Sequence, residues 1–172
     1  QLIEVFCAVA QYRDLPETHQ QMHRFFERLL PYLNRPEGVS RWYEEEFDNF
    51  RFIVHELFLY LVAVLLRQEC FEFAARMLRQ PYYLAQGRCD GETTTTTFRG
   101  FCSSLQSLGR RNQRLGINRL SLHAELLEQR SHASGVDFQH LLQADFVLFV
   151  RGALDALRSR GHQWWPETMV FC

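Results

Sequence analysis

Residues 50–78 read FRFIVHELFLYLVAVLLRQECFEFAARML, and between Ile53 and Leu66 only His55 and Glu56 are plainly polar. A segment apolar on nearly every side must be surrounded, by other helices or by lipid. The unbroken apolar run over residues 57–66 is about half of the ~20 residues that a bilayer-crossing helix needs. Arg67, Gln68 and Glu69 follow it directly. The stretch therefore predicts the central helix of an all-α bundle and no membrane span.

Helical spacing recurs on both sides of it. Leu2, Ile3, Phe6, Val9 and Ala10 predict a short opening helix, and Asp14-Leu15-Pro16 reads as the start of the next, with proline in its first turn. That helix, over 17–33, places Met22, Phe25, Phe26, Leu29, Leu30 and Leu33 on one face, with Pro31 tightening or ending its last turn. After a loop at 34–38 the central helix begins somewhere in 40–47, where Glu44, Glu45, Glu46 and Asp48 suit the positive end of a helix dipole. Around 67–69 the pattern allows one long bent helix or a helix pair with a tight turn. Residues 87–97 (GRCDGETTTTT) predict an exposed polar loop with at most a short extended segment, because the threonines favour strand but lack an alternating apolar partner. Residues 98–108 predict a short helix or irregular piece and 118–130 a further helix. A last long helix covers 137–159, capped by Ser134 or Asp137. The sum is a bundle of six or seven helices in which 53–66 and 138–157 are neighbouring core helices, with Trp164-Trp165-Pro166 folded back as an aromatic lid.

A chain of 172 residues fits one domain. It begins without Met, inside an apolar pattern, which predicts a piece cut from a longer chain. The net charge of −1 gives no global attraction to nucleic acid or anionic lipid, so any such binding must come from a local patch. Every cation other than His is Arg; guanidinium suits bidentate carboxylate and phosphate contacts. The five cysteines (Cys7, Cys70, Cys89, Cys102, Cys172) are odd in number and lack a two-residue spacing, which argues for reduced thiols in a cytoplasmic protein and against a zinc ribbon.

Four constellations carry candidate chemistry. Arg110, Arg111 and Arg114, with Arg119 nearby, form the one basic cluster of note; it reads as a nucleic-acid site, or as a solvated loop or an interface with an acidic helix start such as Glu44–Glu46. His55, Glu56 and Asp145 lie in long apolar helices, where charge is costly unless paired. They read as register-fixing partners of Arg from neighbouring helices, or as a ligand or acid/base pocket between the two core helices. His19, His23 and Glu27 share a helix face, but a third ligand to accompany the histidines is not identifiable elsewhere, so they predict a solvent-facing pair and no metal. Tyr82, Tyr83, Trp164 and Trp165 supply candidate interface aromatics. Cys102-Ser103-Ser104 lacks the flanks of a nucleophile motif. Arg13 and His19 match the Arg-to-His spacing of helical endoribonucleases of the HEPN type, but Asp14-Leu15-Pro16 breaks the helix where that family needs one.

The segments HELFLYLVAVLLRQECFEFAARML and AELLEQRSHASGVDFQHLLQADFVLFVRGAL, followed by WWPET, resemble helical regions of large bacterial multidomain proteins, some associated with phage defence. The resemblance covers about half the chain, rests on a cadence of apolar and acidic residues, and carries over no functional residue. It implies an accessory domain that senses, docks or assembles beside an effector. The sequence thus predicts a non-catalytic interaction or regulatory domain that binds a protein partner or a neighbouring domain and needs no cofactor. The alternatives are nucleic-acid binding through the Arg cluster, and a small enzyme or ligand sensor built on His55, Glu56 and Asp145.

Overall fold

A computed structural model describes residues 2–33, 40–84, 94–102, 105–117 and 119–158. Among them are seven α-helices and one two-stranded sheet: α1 Leu2–Gln11, α2 Pro16–Glu27, α3 Asp48–Arg67, α4 Phe71–Arg79, β1 Tyr82–Leu84, β2 Thr94–Thr96, α5 Gln106–Leu115, α6 Leu122–Ser131 and α7 Phe138–Arg158. Short 3₁₀ turns stand at Leu30–Leu33, Glu44–Phe47 and Phe98–Phe101. The all-α bundle is as the apolar periodicity requires.

The central helix is α3. Val54, Phe58, Leu59, Tyr60, Leu61, Val62, Ala63, Val64 and Leu65 are all buried, so no face of its middle turns meets solvent. Its most extensive neighbour is α7, which lays Leu141, Ala144 and Leu148 against it, and α1 covers another side with Phe6 and Ala10. The segment Glu45–Arg67, with a mean hydropathy of 1.7 in its most apolar window, is long and apolar enough to cross a bilayer; here 67% of that window is buried inside the bundle. Rings stitch the layers together: Phe26 of α2 packs on Phe58 of α3 (5.1 Å between centroids) and on Phe101 (5.5 Å), and Phe101 packs on Tyr82 of β1 (4.8 Å). Such edge and tilted pairs add to the apolar area they bury.

The helix ends follow local chemistry. Pro16 takes the first position of α2, where its missing N–H is no loss, and Leu15 precedes it in extended conformation. α2 stops at Glu27, earlier than the apolar face predicts, and Pro31 sits in the separate 3₁₀ turn that buries Leu30 and Leu33. At the 67–69 junction the structure selects the helix pair. Glu69 has φ +56°, its N–H donates to the Leu66 carbonyl at 3.1 Å, and the Cys70 N–H donates to the Leu65 carbonyl at 2.8 Å. This is a Schellman stop with Glu in the place usually taken by Gly.

The short extended segment allowed within 87–97 is present, and the Arg-rich stretch differs from expectation. Thr94–Thr96 does find a strand partner: it pairs antiparallel with Tyr82–Leu84, with Tyr82 opposite Thr96. The rest of the predicted 87–97 loop before Thr94 lies outside the described residues. The Arg-rich stretch is not a loop but helix α5, and the following helix starts at Leu122, later than predicted, because Ser121 caps it by accepting the Ala124 N–H at 3.2 Å.

Candidate functional site

The polar residues inside α3 are satisfied unequally. Glu56 accepts two hydrogen bonds from the Arg130 guanidinium of α6, Nε at 2.6 Å and Nη2 at 2.8 Å. Arg130 also lies over the Phe52 ring, 5.7 Å from its centroid. Glu56 is thereby closed by a bidentate pair across 74 residues of chain, the register-fixing arrangement. His55 instead meets His123 of α6, edge to face at 5.1 Å, and His123 also packs on Phe52 at 4.9 Å. None of the four ring nitrogens has a hydrogen-bond partner among the described residues. Burial drives the His123 pKa down to about 4 and holds His55 well below the ordinary imidazole range, with His123 reinforcing the latter shift. Asp145 is buried on α7. His123 and Arg130 went unrecognised in the sequence: a lone His in the first turn of a helix and one Arg among many carry no distinguishing signal.

The histidines of α2 are not the solvent-facing pair expected. His19 is buried against Phe73 (4.1 Å), with Nε2 2.6 Å from the Arg13 carbonyl oxygen. His23 stacks on Tyr82 at 4.2 Å and an 11° interplanar angle, and burial lowers its pKa although Glu27 opposes the shift. Arg13 itself lies in the turn between α1 and α2, so the Arg and His of that spacing do not share a helix. Tyr82 is also a correction. It is fully buried, its hydroxyl donates to the Met77 carbonyl at 2.7 Å, and burial raises its pKa; strand alternation leaves only Tyr83 outward, with 54% of its surface exposed. Trp164 and Trp165 lie outside the described residues.

α5 contains no buried residue, yet it is anchored at both ends. The Asp48 carboxylate, at the start of α3, accepts the Ser107 N–H at 2.7 Å and meets Arg51 at 3.4 Å. A carboxylate supplied by another helix thus satisfies one of the open N–H groups in the first turn of α5. At the far end Gly116 (φ +58°) turns the chain in the left-handed conformation, and the Asn112 amide clasps Arg119, donating to its carbonyl at 2.8 Å and accepting its N–H at 3.1 Å. Between these anchors Arg110, Arg111 and Arg114 fall within about 100° of one another around the helix. Arg110 is ion-paired with Glu45; Arg111 and Arg114 have no ion pair among the described residues. Together with Glu45, Ser107 and Gln113 they line an open groove of about 760 Å³. Arg119 does not join this face but pairs with Glu125 at 3.3 Å.

A second groove, of about 290 Å³, is apolar and runs between α4 and α7. Ala75 and Leu78 form one wall; Phe146, Val147, Val150 and Leu154 form the other, with Arg79 and Arg151 on the rim. Phe146, Val150 and Leu154 are exposed and recur every four residues, a second apolar stripe on a helix whose first stripe already faces α3. Arg151 is held by Asp155 at 2.8 Å, whereas Arg79 has no ion pair among the described residues. The sequence contains this stripe, but a helix apolar on two sides reads simply as core until its neighbours are placed. No family model, curated protein or solved structure matches this chain.

Proposed function

We propose that this chain is an interaction domain that docks an amphipathic helix of a protein partner, within a larger assembly, in the groove between α4 and α7. The observation that carries the reading is the exposed stripe Phe146, Val150 and Leu154 facing Ala75 and Leu78 across an open apolar groove. Apolar side chains at one-turn spacing on a docked helix would fill it, as in other helix-in-groove complexes. Arg79 on the rim, which has no ion pair among the described residues, selects a partner with acidic residues flanking its apolar face. Glu56 supports the same reading in a different way. Its bidentate tie to Arg130 fixes α3 against α6, a structural role that holds the scaffold beneath the groove-bearing helices.

The test is a titration of the whole chain with two synthetic amphipathic helical peptides, identical in their leucine stripe but flanked by Glu in one and Lys in the other. The Glu-flanked peptide should bind more tightly, and Val150→Asp/Leu154→Asp should weaken it at least about tenfold, a loss of roughly 1.4 kcal/mol or more. Because both residues lie at the groove surface and outside the core, thermal unfolding of the variant should stay cooperative and fall only modestly. Equal binding by the aspartate variant, or binding of neither peptide, would sink the reading. Sedimentation of the same variants reports whether a second copy of the chain is the occupant.

A further inference from the structure

We infer that the outer face of α5, with the 3₁₀ turn beside it, is a binding surface for single-stranded nucleic acid. Three observations meet there. Arg111 and Arg114 have no ion pair among the described residues, are exposed, and line the groove from adjacent turns of one helix, so two guanidiniums are presented to successive phosphates. Tyr43 immediately precedes the Glu44–Phe47 turn that holds Glu45 against Arg110; its carbonyl accepts the Glu46 N–H at 3.0 Å, and 74% of its surface is exposed. Trp42 beside it is 37% exposed, with its edge on Phe47 at 6.0 Å. Tyr43 and Trp42 thus sit at the entry of the turn that packs against α5, two and three positions ahead of the Glu45 that pairs with Arg110. Exposed rings on an element that adjoins an arginine face are the combination that binds unpaired bases and their backbone: the rings stack on bases of any identity and the arginines neutralise phosphates.

The groove also contains its own anion. Glu45 occupies Arg110, so a phosphate chain would meet two guanidiniums that have no ion pair among the described residues and compete with a carboxylate for the third. Other carboxylates around α5 include Glu46, which is exposed, Asp48, which is buried and committed to Ser107 and Arg51, and Glu125 of α6, which pairs with Arg119. With a chain net charge of −1 no long-range attraction adds to this patch, so binding is modest and strongly salt-dependent. An acidic peptide would satisfy the arginines equally but would leave Tyr43 and Trp42 unexplained.

Fluorescence anisotropy of a labelled oligothymidylate against the whole chain, across a salt series, tests the proposal. Neutralising about two phosphates gives a slope of log K on log salt near −1.4, about −0.7 for each phosphate of a single strand. Arg111→Ala/Arg114→Ala should flatten that slope and weaken binding at low salt at least about tenfold. Tyr43→Ala should weaken binding roughly tenfold with the slope unchanged, because stacking releases no counterions. Glu45→Gln should tighten binding and steepen the slope by about 0.7, because it frees Arg110 for a third phosphate. A role of Glu45 confined to holding the turn would predict the opposite. Failure to bind at low salt overturns the proposal, as does binding that ignores the double arginine variant. Inorganic polyphosphate or polyglutamate binding as tightly as the oligonucleotide, with no sensitivity to Tyr43→Ala, would also overturn it in favour of a general anion or acidic-protein surface.

Discussion

At the scale of single residues, the facing pair His55 and His123 is where the core departs furthest from good satisfaction. Both imidazoles are buried, and all four nitrogens go without a hydrogen bond among the described residues. Each is therefore held neutral, since protonation would place a charge in a site of low polarity beside a second imidazole. The consequence for stability has a definite sign. Above about pH 6.5 both histidines are neutral in the folded and unfolded chain alike. Below it the unfolded chain takes up protons that the fold refuses, so stability falls as the pH drops toward about 4, the folded-state value of His123, and His55 extends the loss further. For His123 alone the loss amounts to on the order of 3 kcal/mol. His123→Phe keeps the ring contacts to Phe52 and His55 while removing two unsatisfied nitrogens. Urea unfolding of this variant should show equal or greater stability at neutral pH and a shallower decline between pH 6.5 and 4. A decline as steep as in the parent chain would mean that carboxylate pairs, not this pair of rings, control acid sensitivity. Glu56 shows why residue pairing was only half legible: a carboxylate inside an apolar helix announces that it needs a cation, but nothing in one sequence says that Arg130, among many arginines, supplies it.

At the scale of elements, what the sequence revealed and concealed follows from how each helix is stabilised. Those that bury a face, such as α2 with Met22 and Phe26 or α4 with Phe73, Ala74, Met77 and Leu78, write that face into their spacing. α5 buries nothing, and with only Leu108 and Leu115 as large apolar residues its face is too polar to read as a core helix; its ends are set by the Asp48 carboxylate and by Gly116, and the first of these arrives from a distant part of the chain. The Tyr82 and Tyr83 pair was ambiguous for a related reason, since a period of two assigns inside and outside only once Thr94–Thr96 is known to complete the strand pair. The α3–α4 stop offers a direct test of element chemistry. Glu69 carries a Cβ in a left-handed conformation that glycine adopts freely, and its N–H and that of Cys70 close the motif whichever residue occupies the position. Glu69→Gly should therefore stabilise the chain by about 0.5–1 kcal/mol, even though glycine loses more backbone entropy on folding. Chemical denaturation would read it directly, and a loss of stability would show that the Glu69 side chain contributes more than its backbone strain costs.

At the scale of the whole molecule, the bundle is uneven, and that unevenness connects fold to function. α3 is enclosed by α1, α4 and α7, and its amides from Phe58 to Leu65 can reach solvent only when that enclosure comes apart. The outer parts are different: α5 hangs on one buried carboxylate, one exposed ion pair and an amide clasp, and the groove wall of α7 faces outward. Both proposed binding surfaces thus lie on the periphery of a core that the sequence shows plainly, whereas the surfaces exist only through the relative placement of helices. Native-state hydrogen exchange can separate the two layers. Amides in the middle of α3 should exchange only through global unfolding, with an opening free energy that follows denaturant concentration as steeply as the global transition does. Amides of α5 should exchange through local opening, at least about 2 kcal/mol below the global value and with little denaturant dependence, because opening that helix exposes no buried side chain. Asp48→Asn should lower the α5 value further while leaving the local-to-global ordering within α3 intact, since it weakens the charged hydrogen bond to Ser107 that holds the first turn. Protection in α5 equal to that of α3 would mean that the arginine face is part of the cooperative core, and its side chains would then be expected to serve packing before binding.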